Sequence, residues 1–282
     1  LTHTPTAKFF RVSTEETTEV VVVTAASVSQ PAVAHHGHVH LVFPNLLDTF
    51  RSLLSIIVMA LFVLTFVVQP FRIPSESMER TLLVGDFLLV NKTVYAPQGA
   101  WRWLLPYEPV NRGDIIVFRF PLDPSDHVVK RVVAVPGDRI HLQDGVVCIN
   151  GQKQSEPFAI FDRMYQDNFR DQFPARLYTD PGVDTHWWIQ MRHDVQNGEL
   201  VVPAGEYFVL GDNRNHSRDS RYWGFVPRTS VVGLPFLIYF SVHQPSATDA
   251  NQLPDDKLGH EKSPLDKVMD FARWSRMFRV IH

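Results

Sequence analysis

Cysteine is all but missing from this chain. Cys148 is the single one among 282 residues, so no disulfide can close within it and the redox compartment stays open. Net charge is nearly missing as well. The balance of 27 Lys and Arg against 30 Asp and Glu leaves a formal charge of −3, which gives no reason to expect a nucleic-acid partner. Residues 1–50 lack any sustained period: Thr14–Thr18 is polar and acidic, and Val20–Val23 is too short to cross a bilayer and has no basic flank. Residues 1–51 therefore read as a disordered tail. Its one chemical feature is the histidine cluster His35, His36, His38 and His40. Such a cluster can bind a transition metal, but adventitious affinity is the ordinary reading, and neither a metal site nor a cofactor is expected.

Long apolar runs are missing everywhere but once. Residues 52–71, SLLSIIVMALFVLTFVVQPF, carry no charge and are bracketed by Arg51 and Arg72. At ~1.5 Å per residue, about 20 residues reach ~30 Å, the thickness of a hydrocarbon core. A buried helix of a soluble protein is the alternative, but such helices rarely stay uncharged and Leu-, Ile-, Val- and Phe-rich on every face. The run therefore predicts a single membrane span over 52–71. It does not read as a cleaved signal peptide, because Val67-Val68-Gln69-Pro70 offers no small-residue cleavage site. The Lys and Arg near its two ends do not differ enough to set its orientation.

The chain as a whole is 45% hydrophobic with twenty prolines spread along it, a composition that suits a loop-rich β protein with a real core. Asp114–Phe120, Val128–Val135, Arg139–Leu142 and Val146–Asn150 are Val-, Ile- and Phe-rich runs separated by Gly, Pro and Asp. Leu82–Val84 and Phe87–Val90 read as strands about a Gly85-Asp86 turn, Glu199–Leu210 as β, and Ser230–Ser241 as a closing strand pair. Asp144-Gly145 between two such runs is the signal of a tight hairpin with positive φ at both positions. Residues 151–200 are polar and aromatic with few clear strands, so the β unit expected over 72–243 carries an inserted subdomain at about 139–203. Trp101 to Pro109 is a Trp- and Pro-rich loop that suits either core packing or the membrane interface. Residues 244–282 read as a polar linker followed, over Leu265–Ile281, by a basic amphipathic helix or a helix running into a terminal β segment, with Arg273, Arg276 and Arg279 spaced by threes. That helix would pack on the main unit or lie on anionic lipid.

Three islands hold residues that can do chemistry. The first, Pro74-Ser75-Glu76-Ser77-Met78, follows the apolar run directly. Pro74 fixes its own φ and biases Ile73 toward extended backbone, so Ser75 and Ser77 approach on a stiff segment. Taken alone, a Ser-x-Ser is a cap or a turn. Ser77 lies within roughly 20 Å of the end of the span, at ~3.5 Å per extended residue, so its substrate is expected at the membrane surface. The second island runs from Arg112-Gly113-Asp114 through Val129-Lys130-Arg131-Val132 to Pro136-Gly137-Asp138. On a strand, Lys130 and Arg131 point to opposite faces, so one of them must enter the core or a cleft. A buried lysine amine loses solvation and titrates lower, which makes it a usable base toward a serine hydroxyl. The ordinary alternative has Lys130 snorkelling and Arg131 paired with Asp138. The third island, Leu210 to Arg221, packs Asp212, Asn213, Arg214, Ser217, Asp219, Ser220 and Arg221 into one stretch, either a solvated loop or a brace for a cleft.

Together the islands resemble the bacterial type I signal peptidases, from roughly Phe71 to Leu237, with the apolar run in the place that family expects. The resemblance implies a mainly β fold of antiparallel sheets, with a signal-peptidase-like core anchored by one N-terminal transmembrane helix. It implies a Ser/Lys serine endopeptidase that removes signal peptides from exported preproteins, cleaving after small residues at −1 and −3. Carried over by position, Ser77 is the nucleophile and Lys130 the general base. Ser75 donates to the oxyanion beside the backbone N–H of Ser77, Ser217 hydrogen-bonds the lysine amine, and Asp219 and Arg221 form a structural ion pair. Ile73, Met78, Leu82, Val117 and Val129 are the candidate pocket walls. Expected partners are signal peptides and membrane lipid. The expected location is the plasma membrane, with one span and the catalytic unit on the extracytoplasmic side. Arg80 departs from the pattern, since the family usually has proline there. Two other readings stand: a Ser/His hydrolase using His127 or His216, for which no triad arrangement is recognisable, and a membrane-tethered β unit that only binds partners.

Overall fold

The computed structural model describes residues 45–95, 108–175, 180–243 and 271–281. Residues 1–44 of the expected disordered tail, with its histidine cluster, most of the Trp- and Pro-rich loop and the linker lie outside the described residues.

The apolar run forms helix α1, Leu46–Phe62, and continues through a π-helical turn, Val63–Val67, as one stretch long and apolar enough to cross a membrane. It starts earlier than the expected 52–71, because Leu46 and Leu47 continue the apolar sequence past the charged Asp48 and Arg51. It also ends earlier. Val68–Arg72 is strand β1, paired along its length with β2, Asp86–Asn91. Pro70 is tolerated there because β1 stands at the edge of its sheet, where one side of the backbone needs no ladder partner.

The chain then builds β3 (Ile115–Arg119) and β4 (His127–Ala134). It leaves for an excursion containing β5 (Arg139–Gln143), β6 (Val146–Ile149), β7 (Gln152–Lys153), helix α2 (Thr185–Asp194), β8 (Val195–Gln196) and β9 (Glu199–Val201). It returns through β10 (Glu206–Leu210), the short helix α3 (Ser220–Trp223), β11 (Val226–Pro227) and β12 (Val231–Ser241), and β13 (Arg279–Val280) follows. The larger sheet runs β1-β2-β12-β3-β4-β10-β11, with β13 added to β12; the excursion makes a second sheet, β7-β6-β5-β9-β8. Every strand pair among the described residues is antiparallel.

Local chemistry explains where these elements fall. β2 alternates buried and half-buried residues along DFLLVN, the period-2 pattern of a strand with one face on the core. The Asp144-Gly145 turn joins β5 to β6 with φ of 51° and 76°, as the sequence predicts, and the ring of Phe161 packs so close to Gly145 that a Cβ would lie 2.3 Å from it. Leu82–Val84, expected as a strand, is a turn, tied by the Leu83 N–H to the Asp86 carboxylate at 2.8 Å. The expected strand pair at Ser230–Ser241 is one long strand. β12 shifts register at Pro235 and so serves β3 with its first half and β2 with its second, a bulge absorbing the proline that a regular ladder rejects. Helix α2 was not signalled. Only Trp187 and Met191 of its residues are buried, too few to print a helical period, and Asp184 caps it by accepting from the Trp187 N–H.

The C-terminal segment ends in a terminal β segment, one of its two expected forms, and residues 265–270 of the expected helix lie outside the described residues. Its described part is a 3₁₀ turn, Trp274–Arg276, followed by β13, which pairs with β12 at Leu237 and Ile238. Arg276 turns inward onto the buried Asp86, donating to both carboxylate oxygens and to the Thr81 carbonyl. Arg273 donates to the carbonyls of Val84 and Val242, while Arg279 remains exposed. The three arginines do not share one solvated face because a buried carboxylate without a cation is costlier than bending the segment toward it.

Candidate active site

The first island sits where β1 gives way to a 3₁₀ turn, Glu76–Met78. Ile73 and Met78 are buried and anchor this turn in a small apolar cluster with Leu82, Leu88, Ile115 and Ile238. Ser75 is exposed at the start of the turn and Ser77 buried within it, with their hydroxyl oxygens 3.3 Å apart.

Strand β4 brings the second island to the same place. Lys130 and Arg131 point to opposite faces of β4, as alternation requires, yet both are buried. The Lys130 Nζ donates to Ser77 Oγ at 2.6 Å. Burial draws the Lys130 pKa from its ordinary 10.5 down to about 8; the negative charges of Asp219 and Asp212 oppose that fall, and Arg221 assists it. On the other face Arg131 meets Asp212 through two bonds of 2.9 and 2.8 Å and reaches the Gly113 carbonyl at 2.7 Å. The alternative pairing of Arg131 with Asp138 does not occur, because Arg112 holds that carboxylate.

The third island locks both segments together. The Asn213 N–H donates to the Ser77 carbonyl at 3.1 Å, and Thr81 Oγ1 donates to Asp212 at 2.5 Å, so the loop grips the chain on both sides of Met78. Gly211 packs against the same carbonyl, and a Cβ there would fall 2.4 Å from Ser77 O and 2.2 Å from Ser217 Oγ. Asp219 and Arg221 are both buried and joined by bonds of 2.8 and 2.7 Å. Burial alone would raise the Asp219 pKa, but the charge and hydrogen bonds of Arg221 and the Gly211 N–H outweigh it and hold the carboxyl below its usual range. Ser217 Oγ is buried and close enough to help lower that pKa, yet it completes no hydrogen bond of normal geometry. Among the described residues it has no hydrogen-bond partner, so the expected bond to the lysine amine is not made.

These groups open onto a cleft of about 130 Å³ lined by Phe71–Ser75, Ser77, Met78 and His127–Lys130. Of the five expected wall residues, Ile73, Met78 and Val129 line it. Leu82 lies outside that lining, in the apolar cluster beneath the turn, and Val117 is buried on β3 opposite Val129. The cleft also has walls that sequence reasoning passed over, Phe71, Pro74 and Val128. Their only signal was their place beside the two islands. His127 lies at the rim with its ring 5.3 Å from that of Phe71, and His216 is exposed and outside the cleft lining; the serine hydroxyls bond to neither. The Arg131–Asp212 pair was also unforeseen, since it joins residues from two islands that gave no sign of facing each other. Among the described residues no cluster of His, Cys, Asp or Glu could hold a metal ion.

A hydroxyl that accepts from a buried amine of lowered pKa, at the mouth of an apolar cleft, has the parts for nucleophilic attack on a carbonyl carbon. Comparison with known proteins defines the class. Residues 46–240 match the family described as signal peptidase, peptidase S26. Signal peptidase I of Aquifex aeolicus is 35% identical over 72% of this chain and 88% of its own length, and that of Pseudomonas fluorescens 35% identical over 72% and 75%. A crystal structure of a signal peptidase I from Enterococcus faecalis is also similar, at 32% identity over 45% of this chain and 97% of its own, with a TM-score of 0.32. The chain belongs to the signal peptidase family, peptidase S26, and is a peptidase.

Proposed function

We propose that this chain is a membrane-anchored serine endopeptidase that removes signal peptides from exported preproteins with a Ser77/Lys130 dyad, cleaving after small residues. The observation that carries the reading is the 2.6 Å bond between Lys130 Nζ and Ser77 Oγ, with the amine buried and its pKa drawn down to about 8. Near neutral pH about a tenth of such an amine is neutral, enough for it to serve as base. It takes the proton from Ser77 Oγ as the oxygen attacks the substrate carbonyl. Ser75 Oγ and the Ser77 N–H face the developing oxyanion, where losing one such donor costs ~3–4 kcal/mol. The lysine then returns its proton to the leaving amine, and the acyl-enzyme is hydrolysed by a water that Lys130 activates in turn.

Substrate seating follows from strand pairing. Strand β10 pairs with β4 only from Arg131 onward, so His127–Lys130 have β3 on one side and the cleft on the other. An extended substrate can add to that free edge, which turns alternate side chains toward the enzyme. The −1 and −3 residues therefore meet the cleft together, and its small volume favours small side chains at both. Helix α1 with its π turn is the anchor, and it holds the cleft near the extracytoplasmic face of the plasma membrane, where preproteins emerge with their signal peptides still embedded. The test is cleavage of a membrane-bound preprotein by the full chain and by Ser77→Ala. The parent should release mature protein and the variant, equally folded by circular dichroism, none. Substantial cleavage by the variant would overturn the assignment.

A further inference from the structure

Behind the dyad, on the Arg131 face of β4, lies a second hollow of about 350 Å³ that shares no lining residue with the cleft. Among the described residues, the guanidinium groups of Arg80, Arg131 and Arg279 line it and no carboxylate does. Arg131 stands at the back, buried, its charge met by Asp212 and its face stacked 3.9 Å from the ring of Phe158. Arg80 and Arg279 stand exposed at the mouth, and among the described residues neither has an ion pair or a hydrogen bond from its side chain. Ile238 and Val280 supply apolar wall, which lowers the local dielectric and strengthens attraction to an anion. Arg80 holds a φ of 76°, which proline cannot adopt and which costs a non-glycine residue energy. Its side chain stands beside this hollow even so, with no compensating partner among the described residues.

Two uncompensated guanidiniums at the mouth of a basic hollow are matched by a tetrahedral oxyanion, since the planar fork of arginine presents paired donors to phosphate oxygens. We propose that the hollow between Arg80, Arg131 and Arg279 is a binding site for a phosphate-class anion, separate from the peptidase cleft. A free phosphate and the phosphodiester of a lipid headgroup share that chemistry. The hollow borders the active site at two points. Thr81, which follows Arg80, donates to Asp212, and Asp212 carries the Arg131 that adjoins Lys130 on β4. An anion drawing Arg80 and Arg279 together would also tie the β13 segment to the turn behind the nucleophile.

The test is calorimetric titration of the full chain in neutral detergent at low salt. The probes are inorganic phosphate, dihexanoyl phosphatidylglycerol and zwitterionic dihexanoyl phosphatidylcholine. Saturable binding of at least one anionic probe is expected. Its Kd should rise about tenfold in Arg80→Gln and in Arg279→Gln, the effect of losing one charge-assisted contact at an exposed site. Arg119→Gln, at an exposed site on β3 that does not line the hollow, should leave it unchanged. Binding of inorganic phosphate assigns the site to a free anion, and binding of phosphatidylglycerol alone assigns it to a membrane headgroup. Melting temperatures without probe verify that both exposed-site variants remain folded. The proposal is overturned if neither anionic probe saturates, if phosphatidylcholine binds as well as phosphatidylglycerol, or if both arginine variants bind like the parent.

Discussion

Replacing Lys130 by methionine tests the buried amine through two separate readouts. The side chain keeps its length and apolar stem but loses the group that titrates. In the parent, burial lowers the amine from 10.5 to about 8. At ~1.4 kcal/mol per pH unit, that difference is a destabilisation of about 3 kcal/mol wherever the amine is charged in both folded and unfolded chains, which is below pH ~8. Between pH ~8 and ~10.5 the unfolded chain binds more protons than the folded one, so parent stability rises with pH and the penalty fades. Methionine removes the penalty but forfeits the bond to Ser77 Oγ, worth about 1 kcal/mol. Lys130→Met should therefore be more stable than the parent by about 2 kcal/mol at pH 7 and about equal to it at pH 10. Urea denaturation of the detergent-solubilised chains at the two pH values measures this difference. Parent cleavage should rise about tenfold per pH unit up to about pH 8 and then level off, because only the neutral amine accepts a proton. The variant should be inactive throughout. A stability difference that does not change with pH, or parent activity that is flat from pH 6 to 9, would refute the buried-amine reasoning.

Ser75→Ala should lower kcat by ~10²–10³ with little change in KM, because one oxyanion donor is lost while the nucleophile stays; a loss confined to KM would assign Ser75 to substrate binding instead. Substrates with alanine at −1 should be cleaved far faster than those with leucine, measured as kcat/KM on otherwise identical preproteins, since the cleft of about 130 Å³ is small; equal rates would remove the two-pocket model. Arg276→Met should cost ~3–5 kcal/mol in urea denaturation, because it leaves the buried Asp86 carboxylate without its cation. The double variant with Asp86→Asn should recover part of that loss, and no recovery would show that the stabilisation comes from packing alone.

The sequence alone determined what depends on neighbours along the chain. The uncharged apolar run announced α1, the Val- and Ile-rich runs announced β3 through β6, and Asp144-Gly145 announced its hairpin, because periodicity and φ preference are local properties. The three islands were visible as unusual residues, and their resemblance to signal peptidases assigned them roles. Other features required the tertiary structure. Both Lys130 and Arg131 are buried because β4 lies inside the sheet, between β3 and β10, a neighbourhood that no stretch of β4 encodes by itself. The pairing of Arg131 with Asp212 rather than Asp138, and of Arg276 with Asp86 rather than with solvent, was settled by which carboxylates the fold had buried, since a buried charge takes whichever counter-ion the chain can bring within reach. Residues 231–241 became one strand because two separated partners, β2 and β3, each offered an edge to it. The distance from Lys130 to Ser77 belongs to this second kind: the two residues lie far apart in sequence, and only the packing of β4 against the turn after β1 brings amine and hydroxyl to 2.6 Å.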